Sequence, residues 1–331
     1  MTHAKRGTLL LAAFTLALAA PALGQEPPAA PPAGDIAGEA VTIPFDPPIG
    51  TPVTYALRFE RKRPSGDSVI DFEQQLTFDR IASGYVLRLE TLAFASEGQR
   101  FDLADKRVLD AVPAALRVYL LPMTVELDAG GEMVRMLDWE AMRAALRQLP
   151  EAAAAMSGAP LDEAAIVAVR SVLDPIINVS AEDAPAQIIR GWPNVLGYGG
   201  AELVLGEAVE AETEVTGGIL TAPIPAVVQG SLNRTPAGNL RLFQTTLYDP
   251  AEMRAATLAT VERLKAQAAR TGGAKPGDEL QSISITDDVE VEFDPLTGLP
   301  LTARLARITS VVTTTESQVG GEITTIRRIQ P

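Results

Sequence analysis

The chain has no cysteine, and its one histidine is His3. Without cysteine there is no disulfide, no thiolate nucleophile and no zinc–thiolate site, so the fold has to stand on packing alone. With no histidine beyond position 3, a Ser-His-Asp triad, a Cys-His pair and a histidine metal site are excluded from the body of the chain. Aromatic residues make up only 5% of the sequence, too few to supply the two interface girdles of an outer-membrane barrel. Lysine is equally sparse: past the N-terminal segment only Lys62, Lys106, Lys265 and Lys275 remain, none inside an apolar run. Past the N-terminal apolar stretch no run of about 18 uncharged apolar residues occurs, so no later helix is expected to span a membrane. The sequence also lacks a G-x-S-x-G elbow, a P-loop and a Ser-x-x-Lys pair. Acidic residues outnumber basic ones, 42 against 28, for a formal charge of −14. Such a surface repels phosphate backbones and anionic lipid headgroups, which argues against nucleic acid as a partner.

What is present begins with an export signal. Lys5 and Arg6 precede an apolar stretch from Leu9 to Ala20, and Ala22-Leu23-Gly24 forms a small-x-small cleavage site. Residues 1–24 are thus expected to be a signal peptide, the mature chain to start at Gln25, and the protein to be periplasmic or secreted; the rival reading is an uncleaved membrane anchor. No cysteine follows the apolar stretch, so a lipoprotein anchor is excluded. Residues 25–48 are rich in proline and predict an extended, poorly packed linker. A single domain is expected over 49–331.

From Pro52 onward the apolar period is two. Tyr55, Leu57 and Phe59 alternate with Thr54, Arg58 and Glu60; Ile70, Phe72, Leu76 and Phe78 alternate with Asp71, Glu73 and Asp79; Tyr85, Leu87 and Leu89 follow after Ser83-Gly84. Successive side chains on a strand point to opposite faces, so each of these strands has one dry face, and short turns between them predict an antiparallel meander. Met123–Leu127 and Met133–Leu137 flank the turn Asp128-Ala129-Gly130-Gly131 and predict a further hairpin. Beyond Gly200, Leu203, Leu205, Val209 and Val215 are expected on one face, with Glu210, Glu212 and Glu214 as a solvated edge or face. Strands near 224–234 and 239–248 follow. The last hairpin pairs Ile283–Phe293 with Leu299–Leu305 across Asp294-Pro295-Leu296-Thr297-Gly298. A parity flip near Ala306 and Ile308 predicts a bulge, and Gly320-Gly321 predicts a turn before a strand at 322–329.

Between the two β halves the period becomes helical. Asp138 is placed to cap a helix through Gln148, a second helix is expected over 161–173, and Ser180-Ala181-Glu182-Asp183 reads as a capping box for a third that Gly191 closes. Residues 138–191 are therefore a helical insert. Asp249-Pro250-Ala251-Glu252 starts one more helix, with Met253, Thr257, Val261 and Leu264 along one stripe and Gly272-Gly273 after it. The fold class is α+β, mostly β: a large curved antiparallel sheet, half-barrel-like, of about eleven strands, with the insert and the later helix covering its apolar face.

Five residues stand out as candidate ligand-lining positions. Gln74 and Thr91 interrupt apolar strand faces, as polar points in a cavity or as residues near a sheet edge or bonded to backbone, and Asp287 lies on the apolar side of its strand, a ligand-lining position or the mark of a strand break or bulge. Trp139 and Trp192 flank the insert and either pack it onto the sheet or line a cavity mouth beneath it. The acidic group Asp278, Glu279, Asp287, Asp288 and Glu290 has no EF-hand spacing and reads as a solvated patch. Leu196-Gly197-Tyr198-Gly199-Gly200 follows a helix and precedes a strand, the reverse of a phosphate cradle, and reads as a loop. No cofactor and no catalytic residue is expected.

The signal peptide, the run Met123-Thr124-Val125-Glu126-Leu127-Asp128-Ala129-Gly130-Gly131-Glu132 leading to Trp139, and Asp294-Pro295-Leu296-Thr297-Gly298-Leu299-Pro300 resemble uncharacterised exported proteins of Gram-negative bacteria that carry domains of unknown function. In architecture, residues 50–331 look like the lipoprotein-carrier (Lol-type) half-barrels, in which a curved sheet is lidded by helices over an apolar cavity. The resemblance is one of fold and carries no site residue with it. Three functions follow as expectations: binding of an apolar ligand, a lipid or acyl chain, between sheet and helices; a non-enzymatic interaction with an envelope protein; and hydrolysis by a carboxylate pair about 5–10 Å apart.

Overall fold

The computed structural model describes residues 38–329 except 63–65, 97, 112–119, 121, 150–165, 167–169, 171, 172, 175, 190, 216–222, 271–279 and 316. The expected signal peptide and most of the expected linker lie outside the described residues. Strands β1 (Ala40–Thr42) to β5 (Gln99–Asp102) include the long β2 (Val53–Lys62), β3 (Ser68–Ile81) and β4 (Gly84–Ser96). Helix α1 (Lys106–Ala111) and the hairpin β6 (Met123–Leu127) and β7 (Met133–Met136) come next, followed by α2 (Trp139–Leu146), α3 (Ala184–Ile188) and α4 (Pro193–Leu196). The second half comprises β8 (Glu202–Val204), β9 (Ala208–Val215), β10 (Ile224–Arg234), β11 (Leu240–Tyr248), helix α5 (Pro250–Arg270), β12 (Leu280–Phe293), β13 (Pro300–Thr313) and β14 (Ser317–Arg328).

Twelve of these strands form one antiparallel sheet in the order β7-β6-β4-β3-β2-β14-β13-β12-β11-β10-β9, with β5 paired to β4; it is not closed into a barrel. The one-sided sequence pattern is the cause. Tyr55, Leu57, Leu76, Phe78, Leu87, Leu89, Val291 and Phe293 are each at most 2% exposed, and a continuous sheet lets all of them share one dry face. The strands number more than the eleven expected, because short β1 and β5 carry too little alternation to be seen and the run from Leu203 to Val215 is divided at Gly206 into β8 and β9.

Several expectations are corrected. Of the linker, residues 40–48 are packed: β1 pairs with β8, Ile43 is 1% exposed, and Phe45 meets Phe78 and Tyr85 edge to face at 6.1 and 5.3 Å. Prolines here fix an extended path without unfolding it, and the apolar Ile43 and Phe45 dock that path onto the sheet. The path runs tightly over Gly298, whose φ is +67°; a Cβ there would stand 1.7 Å from the Pro44 carbonyl oxygen. No bulge occurs near Ala306 and Ile308. Pairing runs unbroken from Val289↔Leu305 to Thr286↔Ile308, and the irregularities fall instead at Glu73/Gln74, Leu280/Ser282, Glu292/Phe293 and Glu126/Leu127. Gly320 and Gly321 are in mid-strand, opposite Thr309 and Ile308, so β14 starts at Ser317. Strand β9 is the sheet edge expected from its glutamates, but Val209 is 44% exposed rather than core-facing.

Helix starts divide the same way. Asp249 caps α5, its Oδ1 accepting from the Ala251 and Glu252 N–H groups at 2.8 and 2.9 Å. Asp138 does not cap α2 with its side chain: Oδ2 accepts instead from the Thr124 N–H at 3.0 Å, which ties the helix start to β6. Ser180 Oγ accepts the Asp183 N–H and donates to the Asp183 carboxylate, so the box forms one turn ahead of α3. The helix expected over 161–173 falls mainly outside the described residues, as do Gly272 and Gly273; Leu173 and Ile177 are helical and buried.

Candidate functional site: the apolar face of the sheet

Strand parity and register stack four successive levels on the dry face, each two residues, or roughly 7 Å, from the next. The first level is polar and closed. Tyr55 on β2 pairs with Gln74 on β3, which pairs with Thr91 on β4. The Trp192 Nε1–H donates to Gln74 Oε1 at 2.8 Å, and Gln74 Nε2 donates to Thr91 Oγ1 at 3.3 Å. The Trp192 ring stands edge-on to Tyr55, 4.8 Å between centroids. Arg328, across from Tyr55, donates to Asp294 Oδ2 at 3.0 Å and to the Leu299 carbonyl at 3.2 Å. Burial pushes the Tyr55 hydroxyl up to about 12, against the neighbouring Arg328. Gln74, Thr91 and Trp192 are thus brought together, as a chain of hydrogen bonds that fastens the start of α4 to the sheet.

The second level is an apolar row across eight strands, Leu242, Val291, Ala303, Ile326, Leu57, Phe72, Phe94 and Phe101. Its first five members are at most 4% exposed, whereas Phe72 and Phe101 are only partly buried. Phe94 and Phe101 stack at 4.8 Å, and Phe72 lies 6.4 Å from Phe94. The third level runs from Gln244 through Val289, Leu305, Thr324 and Phe59 to Ile70; it is apolar apart from Gln244 and Thr324, and partly open. Phe59 meets Phe72 edge to face at 5.4 Å. Gly191 sits against Leu305, Ile326 and Thr324, so the chain leading into α4 covers the β13–β14 part of these two levels.

The fourth level is charged. Asp287 on β12 faces Arg307 on β13, Arg307 faces Glu322 on β14, and Glu322 faces Arg61 on β2, all on the parity of the apolar levels. Arg307 Nε and Nη2 donate to the two Asp287 oxygens at 2.6 Å each, and Tyr248 donates its hydroxyl to Asp287 Oδ2 at 2.5 Å. Glu322 accepts from Arg61 Nη2. The Asp287 hydrogen bonds hold the Arg307 guanidinium above its usual range, and burial, then Asp287, pushes the Tyr248 hydroxyl up to about 12. Side-chain exposure runs from 11% at Arg61 to 53% at Arg307, so water reaches this level. Beyond it, Ile224, Met253 and Ile283 form a separate small core under α5, with Tyr248, Ile285 and Val311 packed on it.

Asp287 therefore marks neither a strand break nor a bulge, since its register is regular and its charge is compensated. It stands apart from Gln74, Thr91 and Trp192, three levels away. Trp139, 1% exposed, donates its Nε1–H to the Val179 carbonyl at 3.1 Å, which joins two parts of the insert. Asp288 lies on the opposite face from Asp287 and accepts from Thr245 Oγ1, so the two do not share a site. The charged level is what sequence reasoning missed. Its signal was there: Arg61, Arg307 and Glu322 each occupy the dry parity of a strand, as Asp287 does, but only register shows that they share a level. On the opposite face a trough of about 360 Å³ passes over Ala56, Ala93 and Ala95 between the side chains of Arg58, Asp71, Glu73, Arg100 and Arg327.

No family model matches the chain, and no curated protein matches it. Seven chains of solved structures do. One, a lipovitellin structure concerned with its lipid–protein interactions, aligns with 86% of this chain at 6% identity and a TM-score of 0.39. The chain covers 25% of that protein's length. A likeness so loose does not fix a fold, and the strand order given above stands on the pairing itself.

Proposed function

We propose that the protein is an exported, non-catalytic module that holds an apolar ligand, a lipid or acyl chain, on the dry face of its sheet beneath the helical insert. The observation that carries this reading is the partly open aromatic surface of Phe59, Phe72 and Phe101 with Ile70, on a sheet that is not closed into a barrel. Apolar surface of this kind gains about 25 cal/mol for each Å² removed from water, which an acyl chain would provide. The acidic sequence supports the same reading by disfavouring nucleic acid and anionic membrane surfaces. The test is mass spectrometry of organic extracts of gently purified protein, together with titration by N-phenyl-1-naphthylamine, whose emission rises in apolar surroundings. A stoichiometric lipid, or saturable probe binding weakened several-fold in Phe72→Ser, is expected. Protein that carries no lipid and leaves the probe dark removes the reading.

A second reading, interaction with an envelope protein, has its own observation. Edge strand β9 is exposed at every position but Val215 and, among the described residues, pairs with a strand on one side only. Its glutamates guard against indiscriminate pairing, so a partner strand would have to bring cations. Crosslinking of a Glu212 variant carrying a photoreactive side chain, in intact cells, tests it: persistent monomer counts against it.

A further inference from the structure

We infer that the ligand is an amphiphile with a zwitterionic headgroup, and that the Asp287–Arg307–Glu322–Arg61 row is the headgroup site; this deepens the apolar-ligand reading and rests on it. The argument is the order of the levels. Along β2, β12, β13 and β14 the dry face passes from fully buried apolar side chains (Leu57, Val291, Ala303, Ile326) to partly open ones, then to charges, with the separate small core under α5 beyond them on β12 and β13. That gradient has the shape of an amphiphile, tail toward Leu57 and Phe72, polar end at Arg307.

The row's composition narrows the headgroup. Its signs alternate, negative at Asp287 and Glu322 and positive at Arg307 and Arg61, so it carries no net charge and offers no net attraction to a simple anion or cation. Neighbouring members are carried on adjacent strands, whose backbones stand about 4.8 Å apart, so opposite charges lie side by side, as they do in a phosphocholine-type group. A phosphate meeting Arg307 would place an ammonium beside Glu322 or Asp287. The pairs already satisfy one another: the two Arg307–Asp287 hydrogen bonds are 2.6 Å, and Arg61 is held by Glu322. What remains for a ligand is the solvent-facing side of Arg307, 53% exposed, and of Glu322, 39% exposed.

The experiment compares two probes of equal tail length on the delipidated full chain, dodecylphosphocholine and dodecyl maltoside, each below its micelle concentration, by isothermal titration calorimetry at low salt. Dodecylphosphocholine is expected to bind roughly tenfold more tightly, and the preference is expected to shrink to within about twofold in Glu322→Gln and in Arg307→Gln. In wild type, 0.5 M salt should erode the preference without abolishing maltoside binding, which keeps the test decisive if either variant fails to fold. Equal affinity for the two probes overturns the headgroup site and leaves the apolar reading intact, as does a preference that survives both the variants and salt. Binding of neither probe removes the apolar reading, and the headgroup site with it.

Discussion

Replacing Trp192 with phenylalanine removes one N–H group and part of a ring from a site with no solvent exposure. Gln74 Oε1, which accepts from that N–H at 2.8 Å, is left without its donor. A buried acceptor stripped of its partner costs about 1–3 kcal/mol, and the lost ring carbons about 1 kcal/mol more. Trp192→Phe should therefore destabilise by about 2–4 kcal/mol. Gln74→Met orphans the indole N–H and the Thr91 hydroxyl, which is 6% exposed, and should cost about 2–3 kcal/mol. The double variant has neither end of the broken bond to leave unpaired. It should fall short of the summed single costs by about 1–2 kcal/mol. Urea unfolding followed by circular dichroism, with slopes compared before midpoints, measures all four proteins. Additivity within about 0.3 kcal/mol would refute the claim that this hydrogen bond fastens the insert to the sheet.

Other expectations follow from contacts elsewhere. Gly298→Ala combines a positive φ with a Cβ 1.7 Å from the Pro44 oxygen; a loss above about 2 kcal/mol and rapid proteolysis upstream of Phe45 are expected, and wild-type protease resistance would contradict the packed path. Acid should weaken the fold through Glu292 and Asp294. Burial pushes both carboxyls up, but Asn239 and Arg241 at Glu292, and the Leu296 N–H, Arg328 and Thr297 at Asp294, outweigh it and hold both below their usual values. With folded values depressed, the stabilisation is complete above the ordinary carboxylate range near pH 4 and is lost as pH falls through the folded values; a urea midpoint unchanged from pH 6 to pH 3 would contradict this. Met253→Ala empties the small core under α5 and should cost about 2–4 kcal/mol. Hydrogen exchange should localise the loss to α5 and the start of β12, since the main core is separate.

The sequence made the dry face legible wherever two or more apolar side chains alternated. Tyr55 to Phe59, Leu87 to Leu89 and Val289 to Phe293 all lie where their parity put them. The Asp249 cap was legible because aspartate, proline and glutamate act locally. What failed depended on partners far along the chain. Asp138 has a capping residue's identity, but Thr124 claims its carboxylate. Ala306 and Arg307 imitate a parity break because a small side chain is buried on the wet side and a guanidinium is paired on the dry side. The charged level was visible only as one odd aspartate, since level is a property of register and no single strand contains it. Gln74, Thr91 and Trp192 were each noticed, yet the sequence separation of 118 between Gln74 and Trp192 hid the fact that they are one chain of bonds.

The sheet order has a consequence for how the molecule is made. Strand β2, the first of the large sheet, takes as its neighbour β14, the last to leave the ribosome among the strands described. Until β14 arrives, β2 and β13 each present a full-length unpaired edge, and among the described residues no strand of one meander pairs with a strand of the other. Formation of that seam closes a loop of some 260 residues, a slow step by topology. Chains released early, or cut within β14, would keep two sticky edges of compatible pattern, and pairing between copies would then compete with completion within one.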